Sequence, residues 1–337
     1  MAQKRTRIAL SIAVLTVMLV VAVLLELSWA AERIPLREVF DVIFGRGSWA
    51  NNIIVKDNAT RLIFGLFVGA GLAVCGCAMQ AMFKNPMASP YLLGLSSGAS
   101  LGAAIGILFT IPFLPYLVVT PVLAFIFCLI TMFIVYGVSR IGGSARTETL
   151  ILTGIAVSSL MSAIVSFLTF IAGDQMADIV FWNMGSLSRA KTENVLVIAP
   201  VIILGIMLML TYSKELNAMM LGDSHALDLG IDVAKARLVL LVICTLVTAA
   251  AVSYAGSIGF VGLIIPHIFR IILGPDNRYL LPMSAFGGAV FLVLCDYLAH
   301  VVAAQYGVLP IGVLTAMVGA PYFIYLLRKR KSEVGWS

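Results

Sequence analysis

The side chains with the widest chemical reach in this sequence are few and scattered. His225, His267 and His300 fall in different loops or apolar runs, so no local cluster with metal-ligand spacing is present and no metal site is expected. Cys75 and Cys77 stand two apart, on different sides of a helix, and Cys128, Cys244 and Cys295 also lie in apolar runs. That pattern gives no disulfide framework, and the cysteines read as small hydrophobes. No Ser/His/Asp or Cys/His arrangement suggests a nucleophile, and no G-x-x-x-x-G-K-[ST] loop is present to cradle nucleotide phosphates. One carboxylate, Asp296, lies deep enough in an apolar run to serve an ion-coupled carrier, whereas Glu26, Glu148, His267 and Arg270 lie nearer run ends. The chain is not expected to be an enzyme.

These residues ride on a sequence built for lipid. Of its 337 residues, 61% are hydrophobic and 11% charged, with a mean hydropathy of +1.06. Soluble domains carry roughly 25% charged residues. Runs 85–139, 149–173, 194–213, 238–269 and 301–327 contain no Lys, Arg, Asp or Glu. At about 20 apolar residues per crossing, the apolar runs divide at their Pro and Gly breaks into about ten spans. Almost nothing is left for a soluble domain. The expectation is an all-α polytopic membrane protein, one domain over 1–337, whose net charge of +6 reflects topology rather than a nucleic-acid partner.

Lys4, Arg5 and Arg7 precede an apolar run from Ile8 to Leu25 that is longer than a signal-peptide core and reads as a retained first helix. Residues 29–60 are polar and mixed and read as a loop on the far side. A second span starts at Arg61, and in it Gly65, Gly69, Ala73 and Cys77 recur every four residues. Such a small-residue stripe lets other helices approach closely. Lys84-Asn85-Pro86 ends this span. In a fifth span, about 149–171, Ser158, Ser162, Ser166 and Thr169 share one face. Those hydroxyls either bond back to the helix and stitch neighbours together, or form the wall of a neutral polar pathway. Residues 172–193 read as a second outside loop with room for a short interfacial helix.

Lys and Arg concentrate on the side of both termini, which the positive-inside rule places in the cytoplasm together with 213–236. That stretch is the longest hydrophilic-leaning interruption of the second half. Leu216, Met219, Met220, Leu221 and Leu227 alternate with Asp223 and Asp228. Two short helices joined near Gly222, with Gly230 in a left-handed cap, are the simplest reading; the alternative is an ordinary solvated loop.

Four blocks in order carry a resemblance: GAGLAVCGCAMQAMFKNPMASPYLLGLSSGAS, MMLGDSHALDLGID, GSIGFVGLIIPHIFRIILGPDNRYLLP and LPIGVLTAMVGAPYFIYLL. Over about residues 55 to 328 the chain resembles the membrane permease of type II ATP-binding-cassette importers, the family that carries iron-siderophores, haem, cobalamin and related metal chelates. The resemblance implies ten helices per subunit and a homodimer with the path at its axis. It also implies two cytoplasmic ATPase subunits that use ATP and Mg, and a soluble or lipid-anchored binding protein outside. This chain would bind no cofactor of its own. Leu216, Met219, Met220, Leu221, Gly222, Asp223, Leu227, Asp228 and Gly230 would form the element seated in the ATPase, a helix-in-groove contact with apolar anchors and the two aspartates at its rim. Asn85 and Met87 would form a cytoplasmic gate facing Ser144, Ala145, Arg146 and Thr147. The Ser158/Ser162/Ser166/Thr169 face would line the path.

Relatives also imply cations outside that meet the binding protein. The family's Arg-x-Pro-Arg lead-in to the second helix is here Asn58-Ala59-Thr60-Arg61, so Arg61 is retained and Lys56 substitutes, while His300 stands where other members carry Arg. The alternative for Arg61 is a snorkelling interface anchor. Iron-siderophore, haem or cobalamin are the implied cargoes. An oxyanion such as molybdate or tungstate, or an ion-coupled carrier using Asp296, are the alternatives. The implied location is a multi-pass position in the cell membrane, the inner one in a Gram-negative source.

Overall fold

A computed structural model describes residues 2–29, 34–109, 116–140, 147–306 and 309–334. These form fourteen α-helices, which we number in chain order: α1 (Ala2–Ser28), α2 (Leu36–Ile43), α3 (Trp49–Met82), α4 (Leu95–Leu108), α5 (Tyr116–Ser139), α6 (Thr147–Ile171), α7 (Met176–Asn183), α8 (Thr192–Thr211), α9 (Ser213–Leu221), α10 (Asp223–Asp228), α11 (Val233–Ala255), α12 (Val261–Leu273), α13 (Asn277–Tyr306) and α14 (Ile311–Val334). Seven are long and apolar enough to cross a membrane: α1, α3, α5, α6, α8, α11 and α13. Three shorter apolar helices, α4, α12 and α14, stand in the remaining apolar runs.

Helix α3 is the hub, packed against α8, α11, α12 and α13. The small-residue stripe explains how. A Cβ on Gly69 would sit 2.3 Å from the Gly288 carbonyl oxygen of α13, and one on Gly76 only 1.7 Å from the Gly262 carbonyl of α12. At both crossings the backbones touch, a contact that only glycine allows. Gly76 lies outside the stripe read from the sequence, which located the α13 face and missed the α12 face.

Polar backbone buried among these helices is matched by named donors, as a membrane interior requires. Pro266 in α12 cannot donate to the Gly262 carbonyl, and the fully buried Gln80 of α3 reaches it instead (3.4 Å) while donating to Leu263 O at 3.1 Å. The non-helical link between α11 and α12 is held from α4's side: Ile258 N donates to the Tyr91 hydroxyl at 3.0 Å, and the Ser96 and Ser257 hydroxyls pair at 2.6 Å.

One expectation is corrected. Residues 34–60 are largely helical, comprising α2 and the first turns of α3, which begins at Trp49 rather than Arg61. Ser48 caps it, its Oγ accepting from Asn51 N at 3.3 Å. The polar residues Asn51, Asn52, Lys56, Asp57 and Asn58 made this region look like a loop, yet Val55 and Asn58 are buried. Asn58 donates to Leu27 O at 3.3 Å and so satisfies a carbonyl at the end of α1.

Candidate functional site: a two-helix knob and the loop beside it

The stretch 213–230 folds as two short helices, α9 and α10, hinged at Gly222 (φ 129°) and stopped at Gly230 in a left-handed turn (φ 80°). Its apolar residues divide by helical phase. Leu216 and Met219 are fully buried and root the knob against the ends of α3 and α13. Leu221, Leu227 and Leu229 are 70%, 60% and 66% exposed. Of the anchors inferred from resemblance, Leu216 and Met219 therefore face the chain itself, Met220 is half-buried, and Leu221 and Leu227 face outward. Leu229, an apolar residue of the same stretch that the resemblance did not assign to the coupling set, joins them.

Polar contacts fix the knob at three helix ends. Asn217 donates to Asp276 Oδ1 (3.0 Å) and accepts from Asn277 N (2.8 Å) and Nδ2 (2.9 Å) at the start of α13. Asp223 Oδ2 accepts from Arg237 Nη2 in α11 at 2.8 Å, and Asp223 Oδ1 lies 3.4 Å from the Lys84 ammonium just past α3. Partial burial would raise the Asp223 carboxyl, but the Arg237 guanidinium and then Lys84 outweigh it and hold the group below its ordinary range. Asp223 is thus engaged within the chain, not turned only to a partner's rim. Asp228, His225 and Gly230 are exposed.

Lys84 and the residues after it form the end of α3. Lys84 adopts φ 49°, and Asn85 N donates to Gln80 O at 3.2 Å, closing a Schellman-type turn in which glycine is the usual occupant. Asn85 Oδ1 accepts from Met87 N at 2.9 Å, and Met87 is 40% exposed. Thr147 starts α6 and is half-buried; Ser144, Ala145 and Arg146 lie outside the described residues.

The α6 hydroxyls bond mainly to their own helix. Ser158 Oγ donates to Gly154 O (2.7 Å), Ser166 to Ser162 O (3.0 Å) and Thr169 to Val165 O (2.8 Å). Ser162 and Ser166 are exposed, while Ser158 faces Gly94 at the head of α4 within the same chain.

At the other end, Arg61 points inward. Its Nε and Nη2 donate to Asp296 Oδ2 and Oδ1 at 2.6 and 2.8 Å, and its Nε lies 3.9 Å from Glu26 Oε1. His300 Nδ1 lies 2.9 Å from Asp296 O and 4.0 Å from Glu26 Oε1. Glu26 and Asp296 have 0% and 2% exposure. Arg61 and His300 are therefore parts of an internal ionic cluster rather than free outward cations, and Asp296 is clamped rather than open to a transported ion. Lys56 alone of the three remains exposed, on a shallow groove of about 390 Å³ with Asp57, Thr60, Lys191 and Glu193. The Glu26, Asp296 and His300 ligand atoms lie within 4.8 Å of one another, but the guanidinium already in their midst makes this a poor cation site.

Comparison with known proteins adds the lineage. The model of the FecCD transport family matches residues 18–329. A cobalamin import permease of Halobacterium salinarum is 42% identical over 288 residues, covering 86% of this chain and 76% of that one. A hemin transport permease of Yersinia pestis is 37% identical over 337 residues, covering 98% and 99%. A solved inward-facing ABC transporter assigned to the metal-chelate type superposes with a TM-score of 0.82 at 29% identity, covering 96% of this chain and 99% of that one.

Proposed function

The chain belongs to the FecCD transport family and is a permease subunit of an ABC importer, and from that premise we propose that it passes an intact metal chelate into the cytoplasm. Hydrolysis of ATP takes place on a separate ATPase subunit. The cargo class rests on relatives named for cobalamin, haem and ferric citrate, each similar along most of this chain. A neutral hydroxyl-bearing face on α6 suits it: the Ser166 hydroxyl proton is spent on the backbone, so its oxygen offers only weak acceptor contacts. A chelate whose metal is already ligated can slide past such a surface without being captured.

The observation that carries the mechanism is the knob. Buried Leu216 and Met219 make it continuous with α3 and α13, while exposed Leu221, Leu227 and Leu229 offer an apolar stripe to a groove in the ATPase. ATP-driven movement of that groove would then move helix ends rather than a floppy loop. In this reading all ten apolar helices cross the membrane, both termini lie in the cytoplasm, 213–236 is cytoplasmic, and 29–60 and 172–193 lie outside. Two copies enclose the path along the exposed face of α6, and Asn85, Met87 and Thr147 stand at its inner mouth. A binding protein delivers cargo at the outer surface near Lys56.

The test is native mass spectrometry of the complex drawn gently from its host membrane. Two copies of this chain with two ATPase subunits are expected, and ATP-dependent uptake of cobalamin, haem or ferric citrate by the reconstituted complex identifies the cargo. A chain that transports alone without ATP would overturn the reading.

A further inference from the structure

Lys84 stands where a helix end ordinarily uses glycine, and its side chain has a definite partner. The turn after α3 needs φ 49° at this residue, a conformation that disfavours any side chain with a Cβ. Nothing in the turn itself calls for lysine: the closing bonds, Lys84 N to Ala81 O and Asn85 N to Gln80 O, are backbone to backbone. What lysine adds is an ammonium 3.4 Å from Asp223 Oδ1. Asp223 is the first residue of α10, directly after the Gly222 hinge, and its other oxygen is held by Arg237, whose side chain is 8% exposed. One carboxylate therefore ties the outer half of the knob to two transmembrane helices. One of the two ties ends on the residue before Asn85.

We propose that Asp223 is a positioning residue of transport, a tie rod through which movement of the knob pulls on the 84–87 loop. This rests on the reading of the knob as the ATPase contact. The two ties differ in character. Arg237 is nearly buried and anchors the carboxylate to α11, whereas Lys84 and Asp223 are 42% and 43% exposed and can part and rejoin in water. An ion pair that solvent can replace suits a joint that must open and close on each cycle.

The experiment uses the full reconstituted complex with its ATPase and binding protein, read as cargo moved per ATP hydrolysed. Lys84→Met keeps the length of the side chain and is expected to lower that ratio about three-fold, the scale of an exposed pair. Asp223→Asn removes the charge that both ties share and is expected to lower it about ten-fold. Lys84→Arg should behave as wild type, and Lys84→Met should add nothing once Asp223 is Asn. An unchanged ratio in Lys84→Met, or the same loss from it in both Asp223 backgrounds, would overturn the tie rod. Failure of the parent reading looks different: Leu227→Asp would then leave the ATPase bound, whereas a working knob loses it.

Discussion

Two charge clusters hang on α3, with Arg61 within its first half and Lys84 just beyond its C-terminal end, about 30 Å of helix apart. They use the same residue types to opposite ends. The Arg61–Asp296 pair is bidentate, with carboxylates sealed from solvent, and it joins α1, α3 and α13 at a point reinforced by Asn58 on the α1 carbonyls and by Trp29 edge-on to Tyr297 at 5.9 Å. The Lys84–Asp223 pair is single, longer and over two-fifths exposed. Losing one partner of a pair sealed in protein strands the other charge away from water at a large penalty, so the first cluster is a rivet. Ions at the surface exchange readily, so the second is a joint.

The contrast breaks first at the rivet. Asp296→Ala leaves the Arg61 guanidinium facing only Glu26 at 3.9 Å, and the expected loss of stability in detergent is about 3 kcal/mol. Thermal unfolding of the purified protein checks it; a loss as small as that of Lys84→Met would erase the distinction. The next largest effect tests whether α3 connects the two ends as a rigid member. Gly76→Ala drives a Cβ into the Gly262 carbonyl of α12 and is expected to cost about 1–3 kcal/mol by overpacking. An unchanged midpoint would mean that α12 moves aside freely and that α3 is not tightly braced.

Much of this frame was legible in the sequence, because apolar runs report helices directly. The long apolar helices, the division of the knob at Gly222 and the left-handed Gly230 all follow from local pattern. What the pattern concealed is long-range pairing. Arg61 and Asp296 are 235 residues apart, and a lone arginine at a span boundary looks the same whether it faces solvent or a buried carboxylate. Residues 49–60 hid a helix because Asn51, Asn52, Lys56, Asp57, Asn58 and Thr60 interrupt its apolar pattern, while Asn58 serves α1. Within α9, apolar residues at 216, 219, 220 and 221 occupy more than one face, so only packing separates the buried root from the exposed anchors. The α6 hydroxyls show the same limit: Ser158 and Ser162 look alike along the chain, yet one meets Gly94 and the other is exposed.

Salt separates the clusters at smaller cost. Raising ionic strength to about 1 M shortens the screening length to about 3 Å and should loosen the Lys84–Asp223 contact while leaving Arg61–Asp296 in place. Hydrogen exchange is expected to rise in 222–230 and to stay constant in 58–64. Equal sensitivity at both sites would show that water reaches the rivet.

Acid gives the smallest effect, and its sign follows from Asp223. Its carboxyl is held below the ordinary value of 3.8, so the folded state binds that proton less readily than the unfolded chain does. The contribution to stability is therefore fully present above the unfolded value and is lost as pH falls through the lower folded value. Between pH 5 and the ordinary carboxylate range the knob should stay docked, with 222–230 no more exchangeable than at pH 7. Loosening should begin only below that range. In Arg237→Met the guanidinium that does most to hold the carboxyl down is gone, so the knob should be looser already at pH 7 and the further loosening in acid should be smaller than in wild type. If the variant and the wild type loosen together, the charge on Arg237 is not what keeps Asp223 ionised, and the joint depends on the apolar root at Leu216 and Met219 instead.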